Sequence, residues 1–132
     1  MAIHPRSRFP AIALLSLAAL LAASCSSTPQ QRQVSFQHDV QPILQKNCVS
    51  CHQPGGIGYE RSGVDLRSYQ GVMKGTKYGA VVEPRHAYTS NLMVLVEGRA
   101  DPSIRMPYHK QALVQADIDT LREWINQGAK DN

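Results

Sequence analysis

The sequence predicts a small, mainly α-helical domain, and three kinds of observation lead to this fold class. Apolar residues recur at the three- and four-residue spacing of amphipathic helices in several segments. Serines and glycines stand where such helices would begin and end. No internal repeat is visible, and no pair of alternating apolar segments around a tight turn marks a β-hairpin.

The first helix is predicted to begin after Ser35, a good N-cap because its hydroxyl can accept a hydrogen bond from a free backbone amide. Pro42 removes one backbone donor and disfavours the helical conformation at the residue before it. We therefore expect a kink or a later start, in a helix that leads to Cys48. Four apolar residues would share its buried face: Phe36, Val40, Ile43 and Leu44.

Three further helices are predicted, separated by loops. Ser68 would cap a short helix over residues 69–73, and Ser90 would cap one that stops at Gly98. The last helix is predicted over residues 115–127, with Trp124 beside its apolar face. Residues 53–58 contain three glycines and read as a loop that passes close to a flat ligand. Residues 101–107 are bracketed by prolines and must form another loop.

The first 24 residues are typical of a secretory signal peptide. Arg6 and Arg8 precede a 13-residue apolar run over residues 11–23, which is shorter than the roughly 20 residues of a membrane span. The run ends at Cys25, in a pattern that resembles the lipidation site of bacterial lipoproteins, although cleavage by an ordinary signal peptidase near Ala23 stays open. We expect an exported protein on the periplasmic side of a bacterial membrane, anchored by a lipid on Cys25.

The chain after the signal is predicted to comprise a flexible tether over residues 25–34 and one domain over residues 35–129. Loss of residues 1–24 removes Arg6 and Arg8, so the formal net charge falls from +4 to +2. A charge this small gives no reason to expect nucleic-acid binding. A domain of this size buries little apolar surface, so a large apolar cofactor would complete its core.

Cys48, Cys51 and His52 form the C-x-x-C-H pattern of covalent haem attachment. Each thiol can bond one vinyl group of the porphyrin, and the adjacent imidazole can then bind the iron from one face. A thioredoxin-like dithiol would need a βαβ context, which this sequence lacks. A zinc site would need a further ligand at suitable spacing, and His86 and His109 are too scattered. The pattern predicts one covalently bound haem c.

Met106 is the candidate for the second axial ligand of that haem. It lies in an irregular segment that Pro107 stiffens, so its thioether can lie over the ring face opposite His52. An imidazole and a thioether raise the reduction potential and close the iron to substrates, which suits electron transfer. Other residues remain as alternatives to Met106: Met73, Met93, His38, His86 and His109.

The sequence resembles the small bacterial class I-like cytochrome c domains, in particular the planctomycete type. The resemblance covers about residues 35–129 and rests on residues 36–44 leading into Cys48–His52, on residues 64–69, 73–75, 90–92 and 105–107, and on residues 121–129. It implies about four helices and long loops around one covalent haem, held by Cys48 and Cys51. It also implies His52 and Met106 as the iron ligands, and packing between the first and last helices. The turn at residues 83–86 and the poor cap at Val114 depart from the family pattern.

The expected function is one-electron transfer by a membrane-tethered, single-haem cytochrome that is not itself an enzyme. Its partners would be an electron-donating and an electron-accepting redox protein, neither of which the sequence identifies. Two alternatives remain: a haem-bearing subunit of a larger membrane oxidoreductase, and a haem enzyme or gas sensor with an open iron site. The sequence shows one C-x-x-C-H pattern, so a two-haem arrangement within this sequence is excluded.

Overall fold

The computed structural model describes Met1 and residues 32–132, and residues 32–132 belong to one compact unit. The predicted signal peptide, Cys25 and most of the predicted tether lie outside the described residues. Five α-helices are present in the described part: α1 (Gln41–Asn47), α2 (Ile57–Ser62), α3 (Tyr69–Lys74), α4 (Asn91–Val96) and α5 (Gln115–Asn126). The same residues contain no strand and one isolated bridge between Thr76 and Gly79. The prediction of a mainly α fold is confirmed.

A π-helical turn (Phe36–Val40) precedes α1 and accommodates Pro42. Ser35 caps this turn, accepting a hydrogen bond from the His38 amide at 3.2 Å. Pro42 then falls in the first turn of α1, where a backbone donor is not needed. The sequence predicts a kink or a later start of the first helix. The observed change from π-helix to α-helix just before Pro42 is such an interruption.

Three aromatic side chains join the first and last helical segments. The rings of Phe36 and Trp124 lie 5.5 Å apart, and Tyr69 meets them at 5.4 Å and 6.4 Å respectively. Trp124 is 1% exposed, and its indole N–H donates to the Lys130 carbonyl at 3.0 Å, so the buried donor is satisfied. Contact between α5 and the π-helical turn agrees with the packing that the resemblance implies.

The two ends of the compact unit are hydrogen-bonded to each other. The Val34 amide donates to the Gln127 side-chain oxygen at 2.7 Å, and the Gln127 amide group donates to the Arg32 carbonyl at 3.1 Å. The Ser35 hydroxyl donates to the Asn132 carbonyl at 2.5 Å. The segment before the π-helical turn is therefore held against the segment after α5.

Ser90 stands at the start of α4 as predicted, but its side chain does not cap that helix. The fully buried hydroxyl accepts from the Glu83 amide at 2.8 Å and donates to the His86 carbonyl at 2.9 Å. Arg85 adopts a φ of 70°, and its amide donates to the Ile125 carbonyl at 2.7 Å. The turn that departs from the family pattern is thus closed by Ser90 and held against α5.

An ion-pair cluster holds α4 against α5 on the outer side of the unit. Glu97 receives hydrogen bonds from Arg99 and, at 2.7 Å, from Arg122 in α5. Partial burial alone would raise the pKa of Glu97, but the two guanidinium groups outweigh it and the pKa is lowered. None of the described helices is long and apolar enough to cross a membrane.

Candidate cofactor site

A cavity of about 370 Å³ opens between α1, α2, α4 and the loop that follows α4. Its wall is mainly apolar. Side chains that are distant in sequence form this wall: Ile57, Val64, Leu66, Val81, Leu92 and Val96. Several of these also belong to the hydrophobic core, so the cavity is continuous with the interior of the domain. An apolar cavity of this kind is suited to a large apolar ligand.

Both cysteines that are predicted to attach the haem line this cavity. Cys48 is the C-cap of α1, and a tight turn follows in which the Cys51 and His52 amides donate to the Cys48 carbonyl at 3.1 and 3.0 Å. Both thiols are free and half-buried. Burial raises the pKa of Cys48 to about 11, with Lys110 opposing the rise, so this thiol is protonated at neutral pH.

His52 lines the same cavity with an imidazole that is free to bind a metal. Its Nδ1 is buried and has no hydrogen-bond partner among the described residues. Burial lowers the pKa of His52, which favours the neutral ring, the form that binds metals. A buried polar atom without a partner is uncommon in folded proteins. The ring therefore fits a role as ligand to a group that enters the cavity.

Gly58 in α2 makes room for the His52 ring. A Cβ atom at this position would lie 2.7–2.9 Å from three atoms of the imidazole, closer than side-chain carbons approach other atoms. The prediction of a loop over residues 53–58 is therefore partly wrong, since α2 begins at Ile57. The predicted close approach does occur here. It is an approach to the side chain of His52.

Gly58→Ala is expected to displace the His52 ring while the helix around it persists. In the haem-loaded protein this should change the visible spectrum and lower the reduction potential, because the imidazole can no longer keep its orientation. Glu60→Ala, on the exposed side of the same helix, is the matched control. If the spectrum of each variant matches that of the unmodified protein, the close approach of Gly58 to the His52 ring does not affect the haem.

Met106 lines the cavity from the loop after α4, in which a 3₁₀ turn (Pro102–Ile104) comes just before it. Its amide donates to the Leu95 carbonyl at 3.2 Å, which attaches this part of the loop to the end of α4. The Met106–Pro107 peptide bond is cis. The structure thus brings Cys48, Cys51, His52 and Met106 to one cavity.

The alternatives to Met106 do not line this cavity. Met93 is fully buried in the core, and Met73 packs against that core from α3. His38, His86 and His109 are also absent from the wall. Of the candidates that the sequence offered for a second axial ligand, Met106 alone lies in this wall.

Three features of the wall were not predicted from sequence: α2, Arg61 and the position of Lys110. The Lys110 ammonium donates to the Ser50 hydroxyl at 3.2 Å, so it lies beside the segment between the two thiols. Arg61 lines the cavity from α2. The i, i+3 spacing of Gly58 and Arg61 would have placed them on one helix face, had the helix itself been recognised.

The donor set fits a haem attached through two thioether bonds. Two free thiols, a neutral imidazole and a thioether are the groups that covalent attachment and two axial positions require, and they share one apolar cavity. Residues 48–108 also match the family described as Planctomycete cytochrome C. This segment is a planctomycete-type cytochrome c domain. The resemblance stated from the sequence is confirmed.

Hydrazine synthase subunit alpha of Kuenenia stuttgartiensis is a relative of this cytochrome domain. The two are 26% identical over 127 residues, an alignment that covers 76% of this chain and 16% of the relative. The chain therefore spans about one sixth of that protein. No solved structure matches. This relative supports the cytochrome c assignment. The activity in its name is that of a protein about six times longer than the aligned segment.

Proposed function

We propose that this protein is an electron carrier with one covalent haem c, bound by Cys48 and Cys51 and ligated by His52 and Met106. One observation carries the proposal: two thiols, a thioether and an imidazole whose Nδ1 has no hydrogen-bond partner in the described part of the chain line the same apolar cavity. A haem bound there would supply an iron that cycles between two oxidation states. We propose no catalytic residue, and we propose that the protein is not an enzyme.

The residues of the cavity would hold and shield this group. Gly58 allows the His52 ring to lie close to α2, and the hydrogen bond from Met106 to Leu95 holds the opposite loop. Apolar side chains such as Leu92 and Val96 exclude water from the cavity. A dry site with a thioether ligand favours the reduced, less charged iron and leaves no position for a substrate.

The proposed location is the periplasmic side of a bacterial membrane, with a lipid on Cys25 as anchor. The C-x-x-C-H chemistry of a cytochrome c domain supports export, and the sequence around Cys25 supports lipidation. The partners would be one protein that donates and one that accepts electrons. Mass spectrometry of the purified protein tests the anchor, since acylation and haem attachment each add a defined mass.

A second candidate is a haem-bearing subunit of a larger oxidoreductase. The observation in its favour is that a relative of this domain makes up 16% of hydrazine synthase subunit alpha. The chemistry at the haem would be the same, and the difference lies in the partners. Purification of the full chain from its own membranes in mild detergent separates the two, because a subunit would migrate with the complex.

Met106→Ala is the direct test of the electron-carrier proposal. The oxidised protein is expected to lose the weak far-red band of a Met-ligated haem, and the reduced variant should bind carbon monoxide readily. The unmodified protein should bind it slowly or not at all, because its iron is closed on both sides. Met73→Ala, in α3 and partly buried against the core, is the matched control and should keep the band.

Two results would contradict the proposal. A far-red band that survives in Met106→Ala excludes this residue as ligand. Rapid carbon monoxide binding by the unmodified protein indicates an open iron site and favours a haem enzyme or gas sensor.

A further inference from the structure

Within the described part of the chain, the charged side chains in the cavity wall are all cationic. Arg61 and Lys110 line the cavity, and no carboxylate among residues 32–132 does. A haem carries two propionate groups, which are anionic at neutral pH and costly to leave without partners beside an apolar wall. The wall therefore has the charge that these groups would require, and either Arg61 or Lys110 could bind them.

Lys110 lies at the wrong edge of the cavity for this role. Its ammonium donates to the hydroxyl of Ser50, which stands between Cys48 and Cys51. In protoporphyrin the two vinyl groups, to which thiols attach, lie on the side opposite the two propionates. A haem bonded to both thiols would therefore point its propionates away from Lys110.

Arg61 is the penultimate residue of α2 and lies beyond the residues of that helix that contact Cys51 and His52. The middle of the helix lies beside Cys51, where the Tyr59 amide donates to the Cys51 carbonyl at 3.0 Å. It ends at Ser62, three residues beyond Tyr59 and about 4.5 Å further along the axis at 1.5 Å per residue. There the Ser62 carbonyl accepts from the Lys77 amide at 2.9 Å, which fixes the end of the helix.

The side chain of Arg61 faces the cavity and has no partner among the residues that the structure describes. It follows Gly58 by three residues, so it shares the helix face that contacts His52. Among the described residues its guanidinium makes no hydrogen bond and no ion pair, whereas Arg67 and Arg122 are paired with carboxylates. A planar guanidinium can donate two parallel hydrogen bonds to one carboxylate.

We propose that Arg61 binds a haem propionate and thereby raises the reduction potential of this protein. The inference rests on the proposed haem site. A cation beside the propionate offsets its negative charge, which would otherwise stabilise the oxidised iron. Removal of the cation should therefore shift the equilibrium with a fixed redox partner towards the oxidised protein.

The test compares three haem-loaded variants of the full chain: Arg61→Gln, Arg61→Lys and, as matched control, Lys110→Gln. Redox titration of Arg61→Gln should show an equilibrium shifted towards the oxidised form by about twofold to fivefold, the range for a solvent-exposed ion pair. Its propionate bending band in the resonance Raman spectrum should also move. Arg61→Lys keeps the charge without the paired donors, so it should restore most of the potential and leave the band displaced.

Lys110→Gln separates a bound propionate from general charge effects. It removes a cation from the same cavity wall but should leave the propionate band in place. The proposal is overturned if Arg61→Gln leaves the band unchanged, even when the potential shifts, or if Lys110→Gln moves the band equally. If the unmodified protein carries no covalent haem by mass spectrometry, the proposed function itself fails, which is a different result from either of these.

Discussion

A Cys48→Ala/Cys51→Ala variant freed of haem is expected to lose cooperative unfolding. The cavity of about 370 Å³ would then be empty or filled with water, and its apolar walls would lose their packing partner. At about 24 cal/mol per Å³ an empty cavity of this size costs about 9 kcal/mol, as an upper bound because water can enter an open cleft. That approaches the total stability of about 5–15 kcal/mol of a small domain.

Urea titration followed by far-ultraviolet circular dichroism measures this effect. The haem-loaded protein should give a sigmoidal transition, and the haem-free variant a broad, sloping one. The same variant with haem added back is the control for the two substitutions themselves. A haem-free variant that unfolds at the same urea concentration as the haem-loaded protein would show that the domain does not depend on the cofactor for its core.

Trp124→Ala is expected to cause the largest loss of stability among single substitutions outside the cavity. The side chain is 1% exposed and packs against Phe36 and Tyr69, so its removal leaves a void between the first and last helical segments. Loss of a buried Trp costs about 3–5 kcal/mol. For a domain of this size the melting temperature should fall by at least about 12 °C.

Thermal unfolding of haem-loaded variants checks this value. Val114→Ala, at an exposed position just before α5, is the control and should change the melting temperature little. Trp124→Phe keeps most of the ring but loses the hydrogen bond to Lys130, so it should lie between the two. A fall no larger for Trp124→Ala than for Val114→Ala would mean that the aromatic cluster does not hold α5 in place.

The helices with clear caps and periodic apolar residues could be predicted from sequence. Ser35 and Ser68 cap the segments that they were expected to cap, and α5 ends one residue before its predicted end. Val114 was expected to cap α5 poorly, and it forms no side-chain cap. In these places local hydrogen bonding and helix periodicity point to the same structure as the tertiary packing.

Other features depend on contacts that a local pattern does not contain. The helix α2 has six residues and includes Gly58, and glycine is unfavourable inside a helix, so its sequence resembles a loop. Ser90 is in a capping position, but its hydroxyl serves the turn at residues 83–86. Trp124 was expected beside the apolar face of α5 and is instead a central residue of the core. In each case a partner distant in sequence decides the outcome.

The candidate site was predictable to the extent that covalent chemistry imposes a spacing. Cys48, Cys51 and His52 are adjacent because two vinyl groups and one iron require it, so their pattern can be read directly. Met106 lies far along the chain, and its location in the cavity depends on how the loop after α4 packs. Arg61 belongs to no sequence motif, so its location in the cavity wall is known only from the structure.

The hydrogen bonds between the two ends of the compact unit have a practical consequence for electrochemistry. Because Gln127 and Asn132 hold residues 32–36, a linker added before Arg32 and one added after Asn132 would leave the protein from the same region of its surface. Immobilisation on an electrode through either linker should therefore present the cavity in a similar orientation. Heterogeneous electron-transfer rates of the two immobilised forms can then be compared without a change of exposed face.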